Sequence, residues 1–442
     1  MIRRMTCVIC CGLMTVSLAA AVDAASFQAG FAEVDITPPP GLPMWGFGAR
    51  HALPATGTID PLAARAVVIH AGDSKVAIAG LDLGRGPTSA MMNEIRLAVK
   101  EEAGIDHVLV SGTHTHHGPV IELRAKKGYG QDSFPEAVRY NQSLPAKIIQ
   151  AIVDADRAAR PARMGIGTRD DLTLNRNRHS KRQPKAIDSR LTVIRFDDDS
   201  EKPIAAIVSF AAHPVLSETM DLRWSADYPG YLVRKVQAEL GGGCVFMQGA
   251  SGDMGTRPPE GHNSVQAYGE LLATKVLELA PTIETSVPES PSVCGLVDQF
   301  RFRSRVDFTD LRIQLAYSAA FFPALIRSAI DEFSEGIPAE LNSIVLNGNV
   351  AMVGGSGEFF CSHAVRLRQR AHVDHTLFFG YCNGHSLYFP TIEAVSEGGY
   401  GADETVSPVE VGAGEQMMNR ALINIYSLTG RIKTQPAHGN SE

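Results

Sequence analysis

The sequence predicts a mixed α/β fold, in which a β-sheet core is flanked by helices and the active-site loops lie at the carboxyl ends of strands. Two observations support this prediction. Short apolar runs alternate with segments of helical periodicity. Five of the apolar runs end in glycine or other small residues that are followed by His, Asp, Glu or Tyr. In open α/β sheets, ligands and catalytic groups collect at such strand ends, so we expect the functional loops to share one edge.

The composition and the amino terminus indicate an exported protein that does not bind nucleic acid. The 442 residues carry a formal net charge of -7 and show no basic stripe. Arg3 and Arg4 precede an apolar run that ends near Val22, and small residues follow it. This pattern predicts a signal peptide over residues 1–24, cleaved after Ala24, and a secreted or periplasmic location. We expect one catalytic domain over residues 25–430 and a tail over 431–442.

The first third of the domain contains strands and helices in alternation. Phe31–Gly41 predicts a short strand that stops at a proline-rich turn. Ala63–His70 and Lys75–Asp82 flank a Gly-Asp pair and predict a hairpin. Met91–Glu102 and Ala146–Ala159 have helical spacing and end before Gly104 and Pro161.

Three histidines follow the predicted strand Val108–Val110 within a short loop. If the loop stays extended, His114 and His116 point to one side and His117 to the other. Two imidazoles on one side could provide a metal ligand and an acid/base partner. The alternative is a polar loop whose histidines are only solvated.

Four later strands end in the same way. Their predicted spans, each with the side chains that follow it, are Ile204–Phe210 with His213, Cys244–Met247 with Asp253, Asn349–Val353 with Glu358, and Thr376–Gly380 with His385 and Tyr388. Ser264–Leu279 and Glu415–Leu428 predict helices, and Pro281–Pro291 predicts a linker or a long loop.

These strand ends supply a donor set that suits a catalytic zinc site. Imidazoles of His114 and His213, the carboxylate of Glu358 and the phenol oxygen of Tyr388 would bind the ion and leave a position for water. No short helical spacing joins them, so the fold must assemble the site. Each residue also has a structural alternative: His213 as a buried, hydrogen-bonded histidine, Glu358 as a helix cap, and Tyr388 as a core aromatic.

Six segments in order resemble the neutral/alkaline (non-lysosomal) ceramidases. They are Gly-Thr-His114-Thr-His-His-Gly-Pro, Phe-Ala-Ala-His213-Pro, Ser-Ala-Asp227-Tyr-Pro-Gly-Tyr, Ser-Gly-Asp253, Gly-Ser-Gly-Glu358-Phe and Asn383-Gly-His-Ser-Leu-Tyr388-Phe-Pro-Thr. The opening Ala-Glu-Val-Asp-Ile-Thr-Pro is similar as well. The resemblance extends over roughly residues 30 to 430.

The resemblance implies roles for individual residues. His114, His213, Glu358 and Tyr388 match the residues that hold one zinc ion in the family. His116 matches a pocket histidine, and Tyr400 matches a pocket tyrosine. An arginine of the family's pocket corresponds to Arg176 or Arg178, and the alignment of the motif leaves both open.

The sequence departs from the family pattern at the nucleophile. Gly255 stands where the family has a serine, and the nearby hydroxyls of Ser251 and Thr256 do not match the motif. The chain also ends soon after the last predicted helix, so we expect no equivalent of the family's C-terminal β-sandwich. The expected route is therefore direct attack of water on an amide or ester carbonyl, with His116 or Asp253 moving the proton and Tyr400, Arg176 or Arg178 stabilising the oxyanion.

The expected function is that of an exported, zinc-dependent hydrolase of a small-molecule or lipid amide. The alternatives are a zinc hydrolase of another amide, ester or lactone and a non-catalytic lipid-binding protein. Peripheral contact with membrane lipid fits a lipid substrate, and nothing in the sequence calls for an obligate protein partner. Cys244, Cys294, Cys361 and Cys382 are either free thiols or disulfide partners.

Overall fold

The computed structural model describes residues 27–433. The predicted signal peptide and most of the predicted tail lie outside this range. The helices are α1 Ser89–Ala103, α2 Pro135–Arg157, α3 Asp227–Leu240, α4 Val265–Leu279, α5 Leu311–Ser318, α6 Pro323–Phe333, α7 Cys361–Ala371, α8 Ile392–Glu397 and α9 Ala413–Leu428. The strands are β1 Phe27–Asp35, β2 Gly57–Thr58, β3 Ala63–Ala71, β4 Ser74–Leu81, β5 His107–Gly112, β6 Arg160–Pro161, β7 Arg163–Arg169, β8 Asn175–Asn177, β9 Leu191–Asp197, β10 Pro203–Phe210, β11 Arg223–Trp224, β12 Gly243–Gln248, β13 Met254–Thr256, β14 Val293–Phe302, β15 Ile337–Leu346, β16 Val350–Gly355, β17 Glu358–Phe359, β18 His375–Phe379 and β19 Tyr388–Phe389.

Three mixed sheets form the framework, and each has one parallel pair at its edge. The strand orders are β5-β4-β3-β1-β6, β12-β10-β9-β7 and β14-β15-β16-β18. The pairs β4 and β5, β10 and β12, and β16 and β18 are parallel, whereas the other pairings in these sheets are antiparallel. The fold is thus the mixed α/β arrangement that the sequence predicts.

One apolar cluster joins the three sheets. Leu109 of β5, Val245 of β12 and Met352 of β16 belong to this cluster and are fully buried. The parallel pairs of all three sheets therefore pack around a common core. Because their carboxyl ends emerge from the same core, side chains that follow six strands can meet there.

Most predicted elements are present with small shifts at their ends. The predicted hairpin is the antiparallel pair β3 and β4. The predicted helix over 264–279 is α4, and the Ser264 side chain caps it by accepting a hydrogen bond from the Ala267 N–H. The segment 281–291 is largely a loop between α4 and β14.

The prediction for the second helix was wrong at its amino end. The sequence predicts a start at Ala146, but α2 begins at Pro135 and includes Pro145 in its interior. Proline there removes one backbone N–H from the helix, and its buried side chain still packs into the core. The four cysteines of residues 27–433 are free thiols. Within the same residues, no helix has the length and apolar character that crossing a bilayer requires.

Candidate metal centre

The carboxyl ends of the three parallel strand pairs converge on one cluster of polar side chains. The segment after β4 contributes the carbonyl of Gly84, and the loop after β5 contributes His114. The loops after β10 and β12 contribute His213 and the carbonyl of Ser251. The segments after β16 and β18 contribute Glu358, His385 and Tyr388. Sequence-distant groups therefore meet because each follows a strand of a shared core.

His114 and His213 face each other through their Nε2 atoms, which lie 2.8 Å apart. The Nδ1 atom of His114 is 2.6 Å from the Gly84 carbonyl oxygen, and Nδ1 of His213 is 3.0 Å from the Ser251 carbonyl oxygen. A carbonyl accepts only, so each Nδ1 carries the proton and donates it. In the neutral rings both Nε2 atoms then present lone pairs to each other.

Glu358 completes the cluster with one carboxylate oxygen. Its Oε2 lies 3.4 Å from His114 Nε2 and 3.6 Å from His213 Nε2, and it has no hydrogen-bond partner within residues 27–433. Its Oε1 accepts a hydrogen bond from His385 Nε2 at 3.2 Å. Burial raises the pKa of the Glu358 carboxyl, but His114, His385 and His213 outweigh it, and the net pKa is well below the usual range. Glu358 is therefore a carboxylate.

Tyr388 lies beside Glu358 because the two residues are paired neighbours in the parallel strands β17 and β19. Its hydroxyl accepts a hydrogen bond from Arg178 Nη2 at 3.2 Å. Burial raises the pKa of Tyr388 well above its usual value, and the neighbouring Glu358 carboxylate adds to the effect. Without a cation nearby, Tyr388 therefore stays in the protonated phenol form. Its oxygen becomes a good anionic ligand only beside a cation.

These groups have the chemistry of a site for a divalent cation such as zinc. Two buried imidazole lone pairs and a carboxylate oxygen without a donor point at a common centre, and a bound cation relieves the repulsion among them. The hydrogen bonds from Nδ1 to carbonyl oxygens fix the tautomer and ring orientation, as ligand histidines require. Two sets of possible ligand atoms lie within 4.8 Å of one another. One set is a ring nitrogen from each of His114, His116 and His213, and the other is a ring nitrogen from each of His114 and His385 with a carboxylate oxygen of Glu358.

His116 lies at the edge of this cluster, toward an open pocket. Its Nε2 is 3.3 Å from His114 Nε2, and its Nδ1 has no partner among the described residues. Burial lowers the pKa of His116 well below its usual value, and the neighbouring His114 acts in the same direction. The structure thus brings His114 and His116 together, although the loop is not extended, because His114 has φ 70°. A neutral imidazole at this position can accept a proton.

Asp253 lies outside this cluster, and both of its carboxylate oxygens accept hydrogen bonds. Its Oδ1 accepts a hydrogen bond from the Cys361 backbone N–H at 2.6 Å, and its Oδ2 accepts one from the Asn177 side chain at 2.7 Å. Both oxygens are thus engaged, and burial raises the pKa of the carboxyl. Asp253 ties the β12 loop to the first residue of α7 and so positions the loop.

The two hydroxyl-bearing residues near the family's nucleophile position, Ser251 and Thr256, are both buried. Ser251 is fully buried, and its Oγ shares a 2.8 Å hydrogen bond with the hydroxyl of Tyr381. Thr256 belongs to β13 and pairs with Asn175 of β8. At Gly255, an added Cβ would find Arg178 at 3.7 Å, which is ordinary contact. The site therefore has room for a side chain at 255.

Of the two candidate pocket arginines, Arg178 is the one that lies at the cluster. Its guanidinium contacts the Gly252 carbonyl oxygen at 2.9 Å and His213 Nε2 at 3.2 Å. Arg176 is exposed and bonds only the Thr256 carbonyl, at 3.4 Å. Tyr400 is 67% exposed at the rim of the pocket, with its ring 5.7 Å from that of Tyr388. Arg178 can therefore act at the centre, whereas Tyr400 contacts what enters.

A mostly apolar pocket leads from the cluster to the surface. The space between its walls, including the open mouth, is about 1310 Å³. Its base contains His116, Glu358, His385 and Tyr388. Its walls are largely aromatic and aliphatic side chains from α5, α6 and the segment before them, including Phe308, Tyr317, Phe321, Phe322, Ile326 and Phe333. Such a pocket fits a ligand with a long apolar chain.

Sequence reasoning missed three residues that shape the centre. His385 orients Glu358. In the sequence, the one indication of a role for His385 was that it follows the same predicted strand as Tyr388. Tyr381 stacks on His114, with ring centroids 4.0 Å apart. Trp45 packs edge-on against His114, His116 and His385, with centroids 5.2 to 5.6 Å apart. Trp45 lies far from these residues in sequence, so no local pattern could have identified it.

The chain can be compared with known proteins at this point. Residues 27–246 match the family described as neutral/alkaline non-lysosomal ceramidase, N-terminal. Neutral ceramidase A of Dictyostelium discoideum is 33% identical over 137 residues, which are 28% of this chain and 19% of that protein. The matched part of the chain therefore spans about a fifth of this relative's length.

A bacterial relative covers more of the chain. Neutral ceramidase of Pseudomonas aeruginosa is 23% identical over 491 aligned residues, with 90% of this chain and 71% of that protein covered. The crystal structure of neutral ceramidase from Pseudomonas aeruginosa superposes with a TM-score of 0.73 at 18% identity, covering 93% of this chain and 76% of that one. This likeness supports the fold.

We expect His117 to make stability depend on pH. Its Nε2 lies 2.6 Å from the Arg50 guanidinium, and burial, with the Arg50 charge, lowers the pKa of His117 to about 4. The unfolded chain binds a proton here below about pH 6.5, but the folded chain does so only below about pH 4. Unfolding therefore takes up a proton in this interval, and stability falls as pH falls from 6.5 to 4.

Replacing this histidine, as in His117→Asn, should reduce the slope of unfolding free energy against pH by up to about 1.4 kcal/mol per pH unit between pH 6.5 and 4. Urea unfolding at a series of pH values measures the slope. The loop variant His262→Asn serves as control and should keep the wild-type slope. An unchanged slope in His117→Asn would show that this histidine does not remain neutral in the folded protein.

Proposed function

The chain belongs to the neutral/alkaline non-lysosomal ceramidase family, and on this premise we propose that it is a zinc-dependent hydrolase that cleaves the amide bond of a lipid or small molecule. The observation that carries the proposal is the facing pair of Nε2 atoms of His114 and His213, with the unpaired Oε2 of Glu358 beside them. The long apolar pocket above them supports a substrate with an acyl chain.

His114, His213, Glu358 and Tyr388 would hold the zinc ion. When bound, zinc polarises a carbonyl oxygen and lowers the pKa of a water molecule to about 7. His385 keeps Oε1 of Glu358 occupied, so that Oε2 alone remains free to bind. Tyr381 and Trp45 pack on the histidine rings and limit the access of bulk water to them.

His116 is the residue that moves the proton. It is neutral near pH 7 because its pKa is lowered, so its Nε2 can accept a proton from water and return it to the leaving amine. Arg178 lies beside His213 and Tyr388 and can stabilise negative charge that develops on the carbonyl oxygen. Tyr400 contacts the substrate at the mouth of the pocket. With glycine at 255, water rather than a serine attacks the carbonyl.

Hydrolysis of an ester or a lactone is the second candidate, because the same groups would polarise any acyl carbonyl. A lipid-binding protein without activity is the third. The buried cluster argues against lost activity, because a cluster of buried polar groups without a ligand costs free energy and would not persist without use.

The purified protein should hydrolyse long-chain amides, lose that activity to a chelator and regain it with zinc. His213→Ala should bind less than about one tenth of the wild-type zinc and lose at least about a hundredfold in kcat/KM, because the centre loses one of its four proposed ligands. The loop variant His262→Ala is the matched control and should keep both. The measurement is zinc content beside turnover of matched amides, esters and lactones.

Two results would contradict the proposal. Full activity in the presence of chelator and in His213→Ala would show that the cluster is not the reactive centre. Stable zinc binding without turnover of any substrate in the panel would favour the binding protein.

We also propose that the protein is exported, since residues 1–24 have the pattern of a cleaved signal peptide. Expression of the full chain in a bacterial host should yield a periplasmic or secreted product whose amino terminus lies within a few residues of Ala25. Amino-terminal sequencing of the fractionated product measures this. A cytoplasmic product that retains Met1 would contradict it.

A further inference from the structure

A second pocket lies between α7 and α9 and shares no lining residue with the pocket above the metal centre. We call it the α7–α9 groove. The space between its walls, including the open mouth, is about 510 Å³. Leu367, Met418 and Leu422 form its apolar part. Its polar lining residues are His363, Arg366, Arg370, Glu415 and Asn419. The proposed hydrolysis uses none of these residues.

His363 offers the groove a buried acceptor. The residue is 1% exposed, and its ring is hydrogen-bonded to the carbonyl oxygen of Pro390. Its Nε2 has no partner among residues 27–433, so Nδ1 makes this bond and donates the proton. Burial lowers the pKa of His363, although the nearby Glu415 opposes this shift. In the neutral ring, Nε2 therefore presents a lone pair.

The position of the His363 ring is fixed by the first turn of α9. A Cβ added at Gly414 would lie 2.4 Å from His363 Nε2, so only glycine allows this close approach. The ring also packs edge-on against Phe359, with centroids 5.9 Å apart. The unpaired nitrogen is therefore held in place rather than free to turn toward another donor.

Glu415 contributes a second acceptor without a donor. Its Oε1 accepts a hydrogen bond from the Ile392 N–H at 3.0 Å. Its Oε2 is buried and has no partner within the described range 27–433. Buried acceptors that lack a donor are costly. His363 Nε2 and Glu415 Oε2 thus both call for a group that donates hydrogen bonds.

The α7 side of the groove carries donors. Arg366 Nη2 donates to Glu393 Oε1 at 2.9 Å, and Arg370 Nη1 donates to Asn419 Oδ1 at 3.0 Å. Each guanidinium has five N–H donors, so each keeps others for an anion at the mouth of the groove. Positions 363 and 366 lie about one helical turn apart, or about 4.5 Å along the axis of α7.

We propose that the α7–α9 groove binds a small zwitterion, a molecule that carries a protonated amine and an anionic group. The amine donates to His363 Nε2 and Glu415 Oε2, which gives both buried acceptors a donor. The anionic group, a carboxylate or a phosphate, accepts from Arg366 and Arg370. This site is separate from the proposed hydrolysis and does not depend on it.

Other ligands fit the groove less well. A structural metal ion takes four ligands, whereas the groove offers one imidazole nitrogen and one carboxylate oxygen that belong to no cluster of three such atoms in the described part of the chain. A simple anion would face the Glu415 carboxylate. A simple cation would face two guanidinium groups. The zwitterion alone suits both ends.

The groove is linked to the segment that follows a proposed zinc ligand. His363 bonds the Pro390 carbonyl, and Glu415 bonds the Ile392 N–H. Pro390 and Ile392 come two and four residues after Tyr388. A ligand in the groove therefore contacts the same side chains that hold the chain beyond Tyr388.

Calorimetric titration of the full mature chain with four small molecules tests the site. The probes 4-aminobutyrate, butyrate and butylammonium share one carbon chain and differ in charge, and O-phosphoethanolamine carries phosphate in place of carboxylate. At least one of the two zwitterions should bind about 10- to 100-fold tighter than butyrate and butylammonium, as expected for hydrogen bonds to charged groups. The tighter zwitterion identifies the anionic group as carboxylate or phosphate.

Variants assign this preference to the groove. Glu415→Gln keeps an acceptor for the Ile392 N–H but removes the charge, and it should reduce the preference to less than about threefold. Arg370→Ala, a change at an exposed position, should weaken zwitterion binding about tenfold and leave butylammonium unaffected. Arg420→Ala is the control, because Arg420 is an exposed arginine of α9 that does not line the groove.

Three results would overturn the site. The first is binding of butyrate or butylammonium as tight as that of both zwitterions. The second is a preference that survives Glu415→Gln and Arg370→Ala. The third is that no probe binds, which would show that solvent alone satisfies the two acceptors. Calorimetry measures binding and not turnover, so none of these results bears on the proposed hydrolysis.

Discussion

The Nε2 atoms of His114 and His213, 2.8 Å apart, are the contact on which the rest of the site depends. Their Nδ1 atoms are committed to the carbonyl oxygens of Gly84 and Ser251, so neither ring can turn or change tautomer without losing a buried hydrogen bond. Two lone pairs at this distance repel unless a cation or a proton lies between them. Burial and the nearby Arg178 lower the pKa of His213 well below its usual value, which disfavours the proton. The proposed divalent cation would stabilise this arrangement.

The backbone around the centre is held in uncommon conformations by the same contacts. His114, Tyr381, Asn383 and Leu387 all have φ between 55° and 70°, where residues other than glycine are strained. Asn383 holds its loop with side-chain hydrogen bonds of 2.8 Å to the Val110 N–H and the Val108 carbonyl. These bonds extend the edge of β5, so the loop that carries His385 is fixed to the strand that carries His114. The free energy gained from packing and hydrogen bonding elsewhere maintains this strain.

The mixed α/β framework could be predicted from the sequence, because an apolar strand followed by polar residues is a local pattern. Sequence reasoning could name His114, His213, Glu358 and Tyr388, which the structure brings to one place. It could not assign a role to His385, because that residue acts by bonding Oε1 of Glu358 and so leaving Oε2 free. Sequence reasoning also could not decide which of Arg176 and Arg178 lies at the centre, because this depends on the direction in which β8 and the loop after it orient each side chain. The partners of Asp253, Asn177 and Cys361, could not be foreseen, because they come from distant parts of the chain. Because of the interior Pro145, the sequence did not predict the first eleven residues of α2; packing of the helix outweighs the local preference of proline.

X-ray anomalous scattering from crystals of the zinc-loaded protein, collected on both sides of the zinc absorption edge, tests the central claim most directly. The account predicts one strong peak, present only above the edge, within about 2.0–2.2 Å of His114 Nε2, His213 Nε2 and Glu358 Oε2. It further predicts that the rings keep their Nδ1 contacts to Gly84 and Ser251. A peak at another place, or no peak at this one with the rings still facing each other, would contradict the assignment of the cluster as a metal centre.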